Sequence, residues 1–443
     1  MFRRLQLFLL ALLFAALPVR SHPLHADVLV FVPAYEGSQL FDDTLNPPGD
    51  PACVWGNINT FLCSKLYFCL RLPNQLEAKT MRSVGPVKVY GHFLDTMTRP
   101  DADLPGFAPY TLGSDFFVFD YDWRQDMAGV SAPLLGRALE QYAAIHAERT
   151  GIPAGQTRFI IVTHSMGGLV ARTLLSEQPA WAPRVRQMYL VGPPNGGSVK
   201  AIKTVVYGPD SLKSEAHGFP GVLLNLIPTD VDQNVTKLTG ITRPSLYELL
   251  PTGDPHWTRV VDGRREDVSD AFATAPWRRY WPSAALEQRL FVDGWLKPRE
   301  AEGRKSIDPA AWIFCRNDSA LDRLMSQARA WRETMGPLAR TASLLTSPGG
   351  ATRLHLIAGT GLSTPSGVVT EGEHDASRGT YLDTGAAGDG TVELSRVLDG
   401  TPADAPNVMI LPGVTHGQLM SSPRLLAYLR GQLAAEALVS PSR

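Results

Sequence analysis

The sequence predicts an α/β fold, a mostly parallel sheet with helices on both faces, and three observations carry that prediction. Short continuous apolar runs recur at 27–32, 159–162, 185–191, 353–359 and 407–411, as strands buried on both faces require. Several of these runs break into turn-forming residues and resume with helical spacing, the alternation that builds a parallel sheet. The sharpest case is His164-Ser165-Met166-Gly167-Gly168, set between the apolar run 159–162 and the helically spaced 169–175. Strand, tight turn and helix with a serine at the turn form a nucleophile elbow, the mark of the α/β-hydrolase fold. In it the turn pushes the serine hydroxyl out above the sheet. Strand and helix pass close together there, so the residues two before and two after the serine must be small. Gly167 meets that condition, while Thr163 stands where the strict pattern has glycine.

The 443 residues are 44% hydrophobic and 19% charged with a net charge of −1, enough for an ample core in one large body or two medium ones. Near-neutrality gives no reason to expect a nucleic-acid partner. Met1-Phe2-Arg3-Arg4 followed by an apolar stretch at 5–18 has the form of a signal peptide. Leu24-His25-Ala26 or Val19-Arg20-Ser21 could supply its cleavage site, so residues 1–26 are expected to be removed and the protein secreted or periplasmic. The apolar stretch is too short to span a bilayer comfortably.

The remaining chain, 27–443, reads as one hydrolase body with two additions. After the first strand comes Ala34-Tyr35-Glu36-Gly37-Ser38-Gln39-Leu40, a small, turn-capable loop. In an α/β-hydrolase sheet such a loop supplies one oxyanion-hole amide, and the residue after the nucleophile supplies the other. That assigns the backbone N–H groups of Tyr35 and Met166. The first addition is an excursion over 44–85, where Trp55, Phe61, Leu62, Leu66, Tyr67, Phe68 and Leu70 crowd among cysteines. This is either an exposed apolar lid or satellite core. The lid reading sets Trp55, Phe61, Leu62 and Phe68 against lipid. Four cysteines, Cys53, Cys63, Cys69 and Cys315, allow three pairings, and three of them lie close enough to close a local loop. Their spacing does not fit a zinc site, so no metal is expected.

A strand at 115–121 ends in Asp122-Trp123-Arg124, either a site rim or a structural ion pair. A helix follows over 132–149, then the elbow, then a strand ending in Gly192-Pro193-Pro194-Asn195-Gly196-Gly197-Ser198. From about 200 to 350 the strand–helix rhythm lapses, apart from a helical segment at 319–335, and this stretch reads as an inserted cap. The rhythm returns at 353–359 and runs through the turn 387–392, the strand 407–411 and a terminal helix to about 438.

Serine hydrolysis needs a base beside the hydroxyl and an acid to hold that base. His416 follows the last strand in a Gly-rich loop, and Asp389 sits in a Gly-Asp-Gly turn after the strand before it, with Asp383 as the reserve acid. His164, next to the serine, is expected to point away. The order Ser165, Asp389, His416 is that of α/β-hydrolases and differs from those of the chymotrypsin and subtilisin folds.

The segment 31–40, with Tyr121-Asp122-Trp123-Arg124, Gly192-Pro193-Pro194-Asn195-Gly196-Gly197-Ser198, Gly388-Asp389-Gly390-Thr391-Val392, the elbow and Val414-Thr415-His416, resembles the lecithin:cholesterol acyltransferase family. The resemblance implies Ser165, Asp389 and His416 as the triad, Tyr35 and Met166 at the oxyanion positions, the cysteine-rich excursion as a membrane-binding lid, and 200–350 as a cap. Ala34 departs from a usual glycine. The expected activity is cleavage of an acyl ester, of a lipid and with phospholipid favoured, through an acyl-Ser165 intermediate that passes to water or to an alcohol. No cofactor is expected, and the expected partners are a lipid ester and a membrane or lipoprotein-like surface. The reading from another class is a catalytically silent hydrolase scaffold that binds a lipid or a partner.

Overall fold

The computed structural model describes residues 24–43, 52–56, 68–104, 106–208, 233–298, 314–315, 319–347, 349–372, 379–382, 385 and 387–439. Six strands form the main sheet: β1 (Asp27–Val32), β2 (Phe116–Val118), β3 (Arg158–His164), β4 (Val185–Val191), β5 (Leu354–Thr360) and β6 (Val408–Pro412). They lie in the order β2-β1-β3-β4-β5-β6, all parallel. The reason is visible in β1, where all six residues are buried. Val28, Val30 and Val32 go to one core and Leu29 and Phe31 to the other, following the period of two along a strand.

Helices cover both faces, as the alternation of runs requires. Helices α1 (Ala132–Thr150) and α2 (Met166–Glu177) pack with the first core, and so does α3 (Ser319–Met335). The helix Gly91–Met97 and α4 (Pro423–Val439) cover the other face. The chain leaves β1 for β2 on one side, and leaves β3 for β4 on the other. The crevice beyond the carboxyl ends of β1 and β3 is therefore the topological switch point, where an open α/β sheet places its ligands.

Two expectations, on the cap and on the lid, are corrected. Ahead of β1, His25 packs against the body. Its backbone N–H donates to Asp115 Oδ2 (2.9 Å), its ring nitrogen Nδ1 lies 2.8 Å from the same oxygen, and the ring stacks on Tyr110 with centroids 3.7 Å apart. The cap does not end at 350. Its hairpin, Trp257–Val261 with Arg264–Val268, is continued by Gly367–Glu371 and Thr380–Leu382 in one four-stranded sheet.

The second correction concerns the lid. Ser38–Asp42 pairs with Ala52–Trp55 on one side and Glu77–Thr80 on the other, and this small antiparallel sheet turns Trp55 inward. Trp55 is 5% exposed, lies edge-on to Trp123 at 5.5 Å, and donates its indole N–H to the Glu36 carbonyl (3.3 Å). Phe68 is 4% exposed and meets Phe291 at 5.4 Å and Trp295 at 6.0 Å. Both belong to the main core: Trp123 packs on Trp55, and the cap aromatics Phe291 and Trp295 pack on Phe68. Phe61, Leu62 and Cys63 lie outside the described residues. Cys315 is a buried thiol pushed up to about 11, mainly by burial, and it takes no part in a disulfide.

Candidate active site

The elbow is built by close approach. Ser165 has φ 52° and ψ −123°, a backbone conformation that residues with a side chain rarely adopt and that tends to mark functional sites. Its N–H donates to the Val191 carbonyl across the sheet at 2.8 Å. A Cβ on Gly167 would stand 2.4 Å from the Val32 carbonyl oxygen and 2.6 Å from that of Pro33, so only glycine lets α2 start beside β1. Thr163 is accommodated because its neighbour across the turn, Gly168, is bare: a Cβ there would lie 3.2 Å from Thr163 Oγ1. That hydroxyl donates to the Tyr189 carbonyl at 3.2 Å. Ser165 is buried, at 8% exposure.

His416 follows β6, and Asp389 follows the short strand Ala387–Gly388, which brings it against Gly359 of β5. The nitrogen His416 Nδ1 lies 2.7 Å from Asp389 Oδ2, and the His416 N–H donates to the Asp389 carbonyl at 2.9 Å. The other carboxylate oxygen, Oδ1, accepts the amides of Val392 (2.8 Å) and Thr391 (3.0 Å). Asp389 is 1% exposed. Burial alone would raise its pKa, but His416, by charge and hydrogen bond, and the two amides together hold it below the usual carboxylate range. The imidazole lies against Gly192, where a Cβ would be 3.3 Å from His416 Cε1. Ser165 and His416 thus flank the same Val191-Gly192 turn. With Nδ1 facing a carboxylate, the neutral ring carries its proton there and leaves Nε2 as the acceptor for a hydroxyl proton. Asp383 lies outside the described residues.

The two oxyanion candidates lie on either side of the elbow. Met166 opens α2, so its amide is one of those a helix leaves without an intrahelical carbonyl. On the other side the Ala34 carbonyl accepts Gly37 N–H at 3.0 Å. Across a trans peptide the Tyr35 N–H therefore points the opposite way. The Tyr35 hydroxyl accepts from Arg243 Nη1 at 3.0 Å and is pushed up to about 12, mainly by burial.

The remaining motifs turn out to be supports. Arg124 is fully buried and grips Asp122 with two hydrogen bonds, Nε to Oδ1 at 2.8 Å and Nη2 to Oδ2 at 2.5 Å, while Trp123 donates to the Ser38 carbonyl. That is a structural ion pair, not a site rim. Asn195, in the Gly-Pro-Pro-Asn loop, accepts from Arg172 (2.7 Å) and donates to the Val397 carbonyl (2.6 Å). His164 turns to the core that holds Tyr90. It is 4% exposed, and its ring contacts both Tyr90 and the backbone of His416. The signal for it in the sequence was a titratable residue ending an otherwise apolar strand. Among the described residues no group of three or more His, Cys, Asp or Glu is placed to hold a metal ion, and no helix is long and apolar enough to cross a membrane.

Over residues 110–302 the chain matches the lecithin:cholesterol acyltransferase family. That span holds the Asp122-Trp123-Arg124 corner, the elbow with Ser165 and the Asn195 loop, while Asp389 and His416 lie beyond it. Among solved structures the chain is similar to one described as the Tle4–Tli4 complex, at 14% identity and TM-score 0.60, covering 95% of this chain and 98% of that one. The fold of the chain is that of the α/β-hydrolases, as the sheet and this likeness agree. Other matches are a Bacillus licheniformis lipase, BlEst2 (12% identity, TM-score 0.32, covering 93% and 94% of the two chains), and phospholipase PlaB from Legionella pneumophila (15% identity, TM-score 0.22, covering 52% and 36%). No curated protein sequence matches.

Proposed function

We propose that this chain is a serine acyl hydrolase or O-acyltransferase of lipid esters, with phospholipid as the favoured donor. One observation carries the reading: His416 Nδ1 sits 2.7 Å from an Asp389 carboxylate whose other oxygen is filled by two amides, beside a serine on a strained elbow. His416 Nε2 takes the Ser165 proton as Oγ attacks the ester carbonyl. The tetrahedral oxyanion forms against the amides of Tyr35 and Met166, each such donor being worth ~10²–10³ in rate. Collapse expels the alcohol, which receives the proton from His416 and leaves an acyl-Ser165. Water or an acceptor alcohol, deprotonated in turn by His416, then releases the acyl group as an acid or a new ester. The family match supports the lipid ester as substrate, and the leader-like residues 1–26 support export to a secreted or periplasmic location.

The test is covalent labelling with a fluorophosphonate, followed by incubation with phospholipid with and without a sterol or long-chain alcohol. Wild type should label and release acyl groups, and folded Ser165→Ala should do neither. Absence of labelling in folded wild type would point to the silent lipid-binding scaffold. Labelling retained in Ser165→Ala would move the nucleophile elsewhere. New ester formed at the expense of free acid would identify an acyltransferase.

A further inference from the structure

One buried chain of hydrogen bonds joins the two halves of the catalytic apparatus. The nitrogen His164 Nε2 lies 3.1 Å from the carbonyl oxygen of His416, and His164 Nδ1 lies 2.9 Å from the Tyr90 hydroxyl. The same hydroxyl accepts the Ala34 backbone N–H at 3.1 Å. The direction of every bond follows from chemistry. A carbonyl oxygen only accepts, so His164 Nε2 carries the proton and Nδ1 of the neutral ring is an acceptor. Tyr90 must then donate its hydroxyl proton to Nδ1, while its oxygen takes the Ala34 N–H. The sequence of donors runs one way: Ala34 to Tyr90, Tyr90 to His164, His164 to the carbonyl of His416. Protonation of His164 would oppose two donors at Nδ1. The ring is pushed down to about 3, mainly by burial and next by the nearby His416, and burial holds Tyr90 well above the usual phenol range. Both groups therefore keep these roles across the physiological range.

We propose that His164 is a positioning residue. Through Tyr90 it fixes the oxyanion loop at Ala34, and through the His416 carbonyl it fixes the backbone that carries the general base. The inference rests on the acyl-transfer reading above. It explains what a nearly fully buried imidazole does beside the nucleophile without entering the chemistry. At one end, Ala34 is held by both of its polar groups, N–H to Tyr90 and C=O to Gly37, which fixes the peptide plane whose N–H belongs to Tyr35. At the other, His416 is held by its N–H on Asp389, its C=O on His164 and its ring on Asp389. His164, with Tyr90, thus ties the donor side of the site to the base side. It ends β3, paired with Val191 and bonded to Ser165, so a shift in the elbow reaches both sides at once.

The test compares full-length His164→Leu, His164→Gln, Tyr90→Phe and the double variant His164→Leu/Tyr90→Phe. Turnover of a short soluble ester is expressed per site titrated with a fluorophosphonate. Titration removes any loss of folded protein from the comparison, so a merely structural role would leave kcat per site unchanged. In His164→Leu we expect kcat per site to fall roughly 10²-fold, the loss that misplacement of reacting groups by about 1 Å brings, with KM within about twofold. His164→Gln puts an amide donor at the reach of Nε2 and should recover most of the loss. Tyr90→Phe, which removes a single hydroxyl, should lower kcat per site as well. The double variant should be no worse than His164→Leu, because both changes break one chain. Wild-type kcat per site in His164→Leu, or in Tyr90→Phe should His164→Leu not fold, would overturn the proposal, as would additive losses in the double variant. If folded wild type does not label at all, the acyl-transfer reading fails instead, so the two failures are told apart.

Discussion

Asp389 uses both carboxylate oxygens, and the division of labour between them decides what a single-atom change would do. Oδ1 is filled by the amides of Thr391 and Val392, so an asparagine at 389 must place its carbonyl there and turn its NH2 to His416. A donor at Nδ1 forces the proton onto Nε2, the nitrogen that should accept from Ser165. Asp389→Asn is therefore expected to fold normally, to lose about 10⁴ in kcat and to label slowly with fluorophosphonate. A loss under tenfold, measured by steady-state hydrolysis of a soluble ester, would move the acid elsewhere. The three triad residues could be read from the chain because their chemistry follows from residue type, order and position at successive strand ends. The contacts of His164 could not. Its ring partners stand 74 and 252 residues away, and one of them is a backbone carbonyl, which has no signature in the sequence. His164 keeps the alternation of β3, on the face of Ile160 and Val162, and what the sequence does not show is that Tyr90 and the His416 backbone meet it there.

At the scale of elements, the parallel sheet was legible because strands buried on both faces must be continuously apolar, and a turn must interrupt them. The helix at 319–335 was likewise legible from its period, and it stands as Ser319–Met335. The excursion was not legible, since an apolar cluster between cysteines has the same composition whether it faces lipid or another aromatic group. The four-stranded cap sheet was missed for a related reason. Its strands Gly367–Glu371 and Thr380–Leu382 are short, and the first pairs with a hairpin more than a hundred residues earlier while the second pairs with the first. The buried positions of Trp55 and Phe68 turn this into a stability prediction. Trp55→Ala and Phe68→Ala should each cost about 3–5 kcal/mol in urea unfolding, the range for large aromatic side chains lost from a core. Co-sedimentation with phospholipid vesicles should stay at the wild-type level for the folded fraction. A cost below about 1 kcal/mol, together with lost vesicle binding, would restore the lid reading of these two residues.

For the whole molecule, the question is what fastens the cap and the excursion to the sheet, and the answer is a set of buried arginines. Arg332 of α3 donates to the carbonyls of Asn195 and Glu248 at 2.7 Å each, and Arg172 of α2 donates to Asn195 and to the Gly336 carbonyl. Arg71, at the foot of the excursion, pairs with Glu287 of the cap, and both side chains are fully buried. It also donates to the Leu238 carbonyl and lies over the Phe291 ring at 4.6 Å. Removing one charge of such a pair strands the other, so Glu287→Ala should cost about 3–5 kcal/mol. Replacing a buried pair with apolar groups is often neutral or stabilising. Here it should not be, because the Glu287 carboxylate has a second duty. It accepts the backbone amides of Phe314 (2.9 Å) and Cys315 (2.7 Å), which would lose their acceptor in any apolar replacement. Each buried donor left unsatisfied costs about 1–3 kcal/mol. The double variant Arg71→Met/Glu287→Leu should therefore recover only part of the Glu287→Ala loss and remain at least about 2 kcal/mol below wild type. Urea unfolding of wild type, both single variants and the double variant closes the cycle. A double variant as stable as wild type would show that Glu287 serves only its arginine. A persistent deficit would assign the carboxylate to the backbone of the cap as much as to Arg71.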